Sequence, residues 1–74
     1  MWSVNVLFSA EDEGRLLPVL DALADKHGGS GTLGVSGRGH QSWVFTSEAA
    51  AYAFAHEADE TCPDAVVIEP EQEK

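Results

Sequence analysis

Val4-Asn5-Val6-Leu7-Phe8-Ser9-Ala10-Glu11 and Ser42-Trp43-Val44-Phe45-Thr46-Ser47-Glu48 are the two stretches whose reading decides the fold. In each, an apolar run ends in Phe, meets a serine and an acid, and gives way to helical spacing. A period of two that changes to a period near 3.6 marks a strand feeding a helix, and Ser ahead of an acid is N-cap chemistry. Each unit is followed by a further short β-like run. Two such units in 74 residues predict the order βαββαβ.

Working outward from the first stretch, the opening strand is expected over Trp2 to Phe8. Trp2, Val4, Val6 and Phe8 share one face; Ser3, Asn5 and Leu7 share the other. Ser9 with Asp12 three residues on resembles a capping box. The helix that follows places Leu16, Val19, Leu20, Leu23 and His27 on one stripe. Pro18 cannot donate an i→i−4 bond, so the regular helix is expected only from about Leu17, with Pro18 in its first turn. Lys26 and His27 suit the negative C-terminal end, and Gly28-Gly29 stops it.

Six of the seven glycines lie between Gly28 and Gly39. Within that segment Thr32 to Ser36 alternates as a short strand, and Gly37-Arg38-Gly39 reads as a hairpin turn into a third strand, His40 to Thr46. The second helix is expected over Glu48 to Thr61, with Ala50, Ala51, Phe54, Ala58 and Cys62 inward. Pro63-Asp64 closes it, and Ala65 to Glu69 forms the last strand. Residues 1–69 then make one domain, and residues 70–74 (Pro70-Glu71-Gln72-Glu73-Lys74) a flexible acidic tail.

Right-handed crossovers turn this order into an α+β sandwich that resembles the ferredoxin-like superfold: a four-stranded antiparallel sheet of order 4-1-3-2 with both helices on one face. The helix-facing side collects Val4, Val6, Phe8, Leu33, Val35, Trp43, Phe45, Val66 and Ile68. The open side collects Asn5, Leu7, Ser42, Val44, Thr46 and Val67. That second set mixes aliphatic and small polar side chains without a charge at its centre, which makes it the candidate surface for a second copy of the chain or another protein.

Composition bounds the function. A chain of this length buries roughly 60–65% of its unfolded surface, close to the lower limit for one core. Thirteen acids against four bases give a formal net charge of −9, which opposes binding to nucleic-acid phosphates and to anionic lipid. No apolar run approaches the roughly 18 residues of a membrane span. The N-terminus lacks a basic segment and a small-residue cleavage site, and the single cysteine, Cys62, permits no internal disulfide. A cytoplasmic location is the expectation.

Relatives of the superfold with chemistry of their own can be tested residue by residue. Arg38-Gly39-His40-Gln41-Ser42-Trp43-Val44-Phe45 resembles the third-strand signature of the RNA-recognition motif. That family stacks bases on aromatics at the third and fifth signature positions, here His40 and Ser42, and on the first strand, here Asn5. Acylphosphatases resemble the chain in topology but hold their anion in a Gly-rich, Arg-containing loop, where this sequence has Ser9-Ala10-Glu11-Asp12-Glu13. Heavy-metal chaperones carry Cys-x-x-Cys in the same loop, and Cys62 stands alone. SPOR-type peptidoglycan-binding domains are similar in length and order, but they are exported.

His27, His40 and His56 have no His-x-x-x-His or Glu-x-x-His spacing, and consecutive Glu11, Asp12 and Glu13 cannot converge on one ion. No nucleophile–base pair or paired-carboxylate spacing is present in the sequence, so catalytic, cofactor-binding and metal residues are each expected to be none. The favoured reading is a small non-enzymatic interaction protein whose partner is another protein or itself as a homodimer. In its compact acidic character it resembles accessory proteins of actinobacteria and their phages. The competing reading is a ligand-binding regulatory domain of the ACT type, which the chain resembles in topology, with Gly14 the candidate first-loop glycine.

Overall fold

A computed structural model describes residues 1–31 and 39–72. The elements run β1 (Trp2–Leu7), α1 (Glu13–Lys26), β2 (Ser30–Gly31), β3 (His40–Phe45), α2 (Glu48–Thr61), β4 (Val66–Val67) and β5 (Glu71–Gln72). The antiparallel sheet has the order β2-β3-β1-β4, and β5 also pairs with β1. This is the expected ferredoxin-like βαββαβ arrangement. The strand anticipated over Thr32 to Ser36, with Leu33 and Val35 facing inward, lies outside the described residues, as do Gly37 and Arg38 of the turn.

The central ladder joins β1 to β3 over six residue pairs, from Trp2 opposite Phe45 to Leu7 opposite His40. Because paired residues share a face, Val4 and Trp43 point the same way, toward the helices. Phe54 of α2 meets both aromatic residues of β3, with ring centroids 5.4 Å from Trp43 and 5.0 Å from Phe45. All three rings are buried, together with Val4, Val6 and Leu20. Truncating such a ring to Ala costs about 3–5 kcal/mol, a large share of the roughly 4–11 kcal/mol expected for a domain this size.

The second strand-to-helix handover forms as expected. Ser47 is extended and its side chain accepts from the Ala50 N–H at 3.1 Å, capping α2. Small side chains at Ala51, Ala55 and Ala58 let this helix lie close over the sheet, and Cys62 is buried at its end. That burial pushes the Cys62 thiol up, against a smaller opposing pull from Arg15.

The first handover differs from the capping box. Ser9 donates through its hydroxyl to Asp12 Oδ2 at 2.9 Å, and the Asp12 N–H returns to the Ser9 carbonyl at 3.0 Å. A turn therefore precedes the helix, and Asp12, not Ser9, occupies the N-cap position. The helix also begins four residues earlier than Leu17. Both Arg15 and Leu16 donate to the Asp12 carbonyl, which closes the first turn ahead of Pro18. Pro18 lies on the exposed side, where water can serve the Gly14 carbonyl that it leaves without a donor. The inward stripe is Leu16, Leu20 and Ala24, with Leu17 and Leu23 partly buried, and Val19 is exposed.

Two glycines have backbone reasons. Gly28 ends α1 at φ 77°, and Gly39 enters β3 at φ 84°. A Cβ on Gly39 would collide with the Phe8 carbonyl oxygen, because the Gly39 carbonyl accepts from the Phe8 N–H at 2.8 Å and holds the two backbones together.

The last strand corrects two expectations. β4 places Val67 opposite Val6 and Val66 opposite Leu7, whereas β5 places Glu71 opposite Ser3 and Gln72 opposite Trp2. From Val67 to Glu71 is four residues; from Val6 to Ser3 is three. One extra residue is accommodated in between, the signature of a bulge. The consequence is that Val67 packs on the helix side and Val66 faces out, the reverse of their sequence assignment, and Ile68 is exposed instead of buried. Residues 70–72 are also not a loose tail. Pro70 is buried, and Glu71-Gln72 extends the edge of the sheet along the start of β1.

Candidate functional site: the open sheet face

The side of the sheet away from the helices is built by alternation along β1 and β3. Their register sets Ser3 beside Val44, Asn5 beside Ser42, and Leu7 beside His40. Four of the six residues expected on this face, Asn5, Leu7, Ser42 and Val44, are therefore brought together. Thr46 lies just past the end of β3, exposed, in the bend before the α2 cap. Val67 does not belong to the face, because its partner Val6 is a core residue.

Val66 takes the place assigned to Val67. It stands opposite Leu7, and Ile68 follows, its N–H donating to the Asn5 carbonyl at 2.8 Å. Leu7 is 40% exposed, Val66 59% and Ile68 36%, so three large aliphatic side chains meet water side by side. Sequence could not separate Val66 from Val67: in a run of three aliphatics no alternation shows which side chain turns inward.

Beside this apolar strip lies a polar group that the sequence did not reveal. Asn5 Oδ1 accepts a short hydrogen bond from the Ser42 hydroxyl and lies 3.1 Å from His40 Nε2. Serving both with one oxygen requires His40 to carry its proton on Nε2. The Ser42 proton is directed at an amide oxygen, which is no base, so this geometry does not activate the hydroxyl as a nucleophile. It ties β1 to β3 through their side chains and sets polar groups beside the apolar strip. Across the outward positions of β1, β3 and β4 no Asp, Glu, Lys or Arg occurs among the described residues.

The other candidate groups lie elsewhere. Glu57 of α2 receives Lys26 Nζ at 3.0 Å and His27 Nε2 at 2.8 Å from the end of α1, an ionic clasp between the two helices. His27 first and Lys26 second hold the Glu57 carboxyl below its ordinary range. Similarly Arg15, then Ser9, lowers Asp12. His56 pairs with Glu60 one turn on at 2.6 Å, on the surface of α2. The three histidines thus occupy separate places, and among the described residues no group of three or more His, Cys, Asp or Glu could hold a metal ion.

A concave feature lies beside the face, at the edge of the sheet. Tyr52, Ala55, His56 and Asp59 form a stripe on α2 that looks across to Val67, Glu69 and Pro70, enclosing an open cleft of about 320 Å³. The Tyr52 hydroxyl donates to Glu69 Oε1 at 3.4 Å. Loss of hydration, followed by the Glu69 charge, pushes the Tyr52 phenol up, so it stays a donor.

Comparison with known proteins adds no relative: no family model matches the chain, and no curated protein or solved structure does either. Among the described residues no helix is long and apolar enough to cross a membrane.

Proposed function

We propose that this chain is a small non-enzymatic protein that acts through protein–protein contacts made by its open sheet face, with a second copy of itself as the partner. One observation carries this reading: among the described residues, a chain of formal net charge −9 keeps the outward positions of β1, β3 and β4 free of Asp, Glu, Lys and Arg. Two such chains repel one another through their acidic surfaces, so the centre of this face, with Glu71 of β5 at its margin opposite Ser3, is where they can meet at least electrostatic cost. Leu7, Val44, Val66 and Ile68 supply apolar area there, and Asn5 and His40, above the buried Ser42, supply polar contacts at its centre.

The size of the face sets the strength. Six residues each in β1 and β3 and two each in β2, β4 and β5, at about 3.3 Å per residue and about 4.8 Å between strands, give a footprint of roughly 280 Å² over the described strands. Stable interfaces bury about 800 Å² per partner. Pairing through this face alone is therefore weak and reversible.

Light scattering across a concentration series tests the reading. Mass should rise from monomer toward dimer as concentration increases, and Val44→Glu should hold the chain at monomer mass with an unchanged circular dichroism spectrum. A wild-type monomer at every concentration, or a Val44→Glu variant that still dimerises, refutes it.

A further inference from the structure

The cleft beside α2 runs along an open sheet edge, and the two features belong to one device. β4 ends the strand order, and its ladder partner is β1. The Ile68 N–H points to the Asn5 carbonyl; by alternation the N–H and C=O of Val67 point away from the sheet. Above that edge stand Tyr52, Ala55 and Asp59 of α2, and Val67, Glu69 and Pro70 complete the cleft from the strand side. The floor is apolar, one wall is aromatic, and two carboxylates hang over it.

We propose that this edge and cleft bind an extended basic peptide as an added strand. The peptide backbone pairs with the outward-facing groups of β4. A Lys or Arg side chain enters the cleft, laying its stem on Ala55, Val67 and Pro70 and its head group against Asp59 and Glu69. Charge selects this occupant. The chain carries thirteen acids and four bases, so its field draws a basic segment in, and the cleft's own histidine, His56, is engaged by Glu60. A second copy of the chain would set Asp59 and Glu69 against an equally acidic surface. The site is distinct from the open face, so the two readings fail independently.

Titration of the ¹⁵N-labelled protein with a blocked pentapeptide of alternating Val and Lys tests the proposal. Saturable amide shifts are expected along Val67 to Glu69 and Tyr52 to Asp59, weakening as salt rises. Asp59→Asn and Glu69→Gln should each lower affinity roughly two- to fivefold, as loss of one exposed ion pair does. N-methylation of the peptide amides that face β4 should abolish the shifts. Val44→Glu should bind the peptide as the wild type does, which separates this site from the dimer face. Equal binding of the Val/Glu counterpart, shifts confined to Leu7, Val44 and Val66, unaltered affinity in both amide variants, or no saturation at about millimolar peptide would each overturn it.

Discussion

The Trp43 indole N–H donates to Asp21 Oδ1 at 2.9 Å, joining the most deeply buried aromatic residue of the sheet to an exposed position on α1. A buried indole needs a partner for its single donor, and here the partner comes from the opposite layer of the sandwich. Asp21→Ala removes it and is expected to destabilise the fold by about 1–2 kcal/mol. At this size that amounts to a fall in Tm of roughly 4–8 °C per kcal/mol. Asp21→Asn keeps an acceptor oxygen and should lose less. Thermal melts followed by Trp fluorescence read both variants.

Gly39 and Gly14 should respond to Ala in opposite directions. At Gly39 the positive φ and the Phe8 carbonyl leave no room for a Cβ, so Gly39→Ala should cost more than about 1 kcal/mol. At Gly14 nothing lies within 4 Å, and the residue sits in α1. Gly14→Ala should stabilise by about 0.5–1 kcal/mol. Urea unfolding midpoints with unchanged slopes would show it.

Deleting residues 70–74 should cost stability. Burial of Pro70 and the pairing of Glu71 and Gln72 with Ser3 and Trp2 together contribute roughly 1–2 kcal/mol. A truncated chain that melts at the wild-type temperature would show that this edge contributes nothing.

The Glu57 clasp gives stability a defined acid limb. Because His27 and Lys26 hold the folded carboxyl below its unfolded value, the contribution is present above the unfolded pKa and is lost as pH falls through the folded one. Glu57→Gln should therefore melt below the wild type at pH 7, with the two converging in acid, below the ordinary carboxylate range. Thermal melts of both proteins from pH 7 to the acid limb check the convergence. A gap that stays constant with pH would mean that Glu57 acts by packing and not by charge.

By itself the sequence determined the βαββαβ arrangement through β4, the span of α2, the Ser47 cap and the inward faces of β1 and β3, but not β5. These rest on local chemistry: alternation over six residues, helical spacing over fourteen, and a hydroxyl three residues from the N–H that it accepts. From that alternation it also marked Asn5, Leu7, Ser42 and Val44 as one face. Only the tertiary structure decided the rest. Val66, Val67 and Ile68 offer no alternation, so their faces follow from the register against β1 and from the bulge that lets residues 71 and 72 pair further along it. Asp21 with Trp43, Glu57 with His27, and Asn5 with His40 and Ser42 are separated by 22 to 37 residues. No periodicity within one element can specify a contact that exists only once two elements have packed.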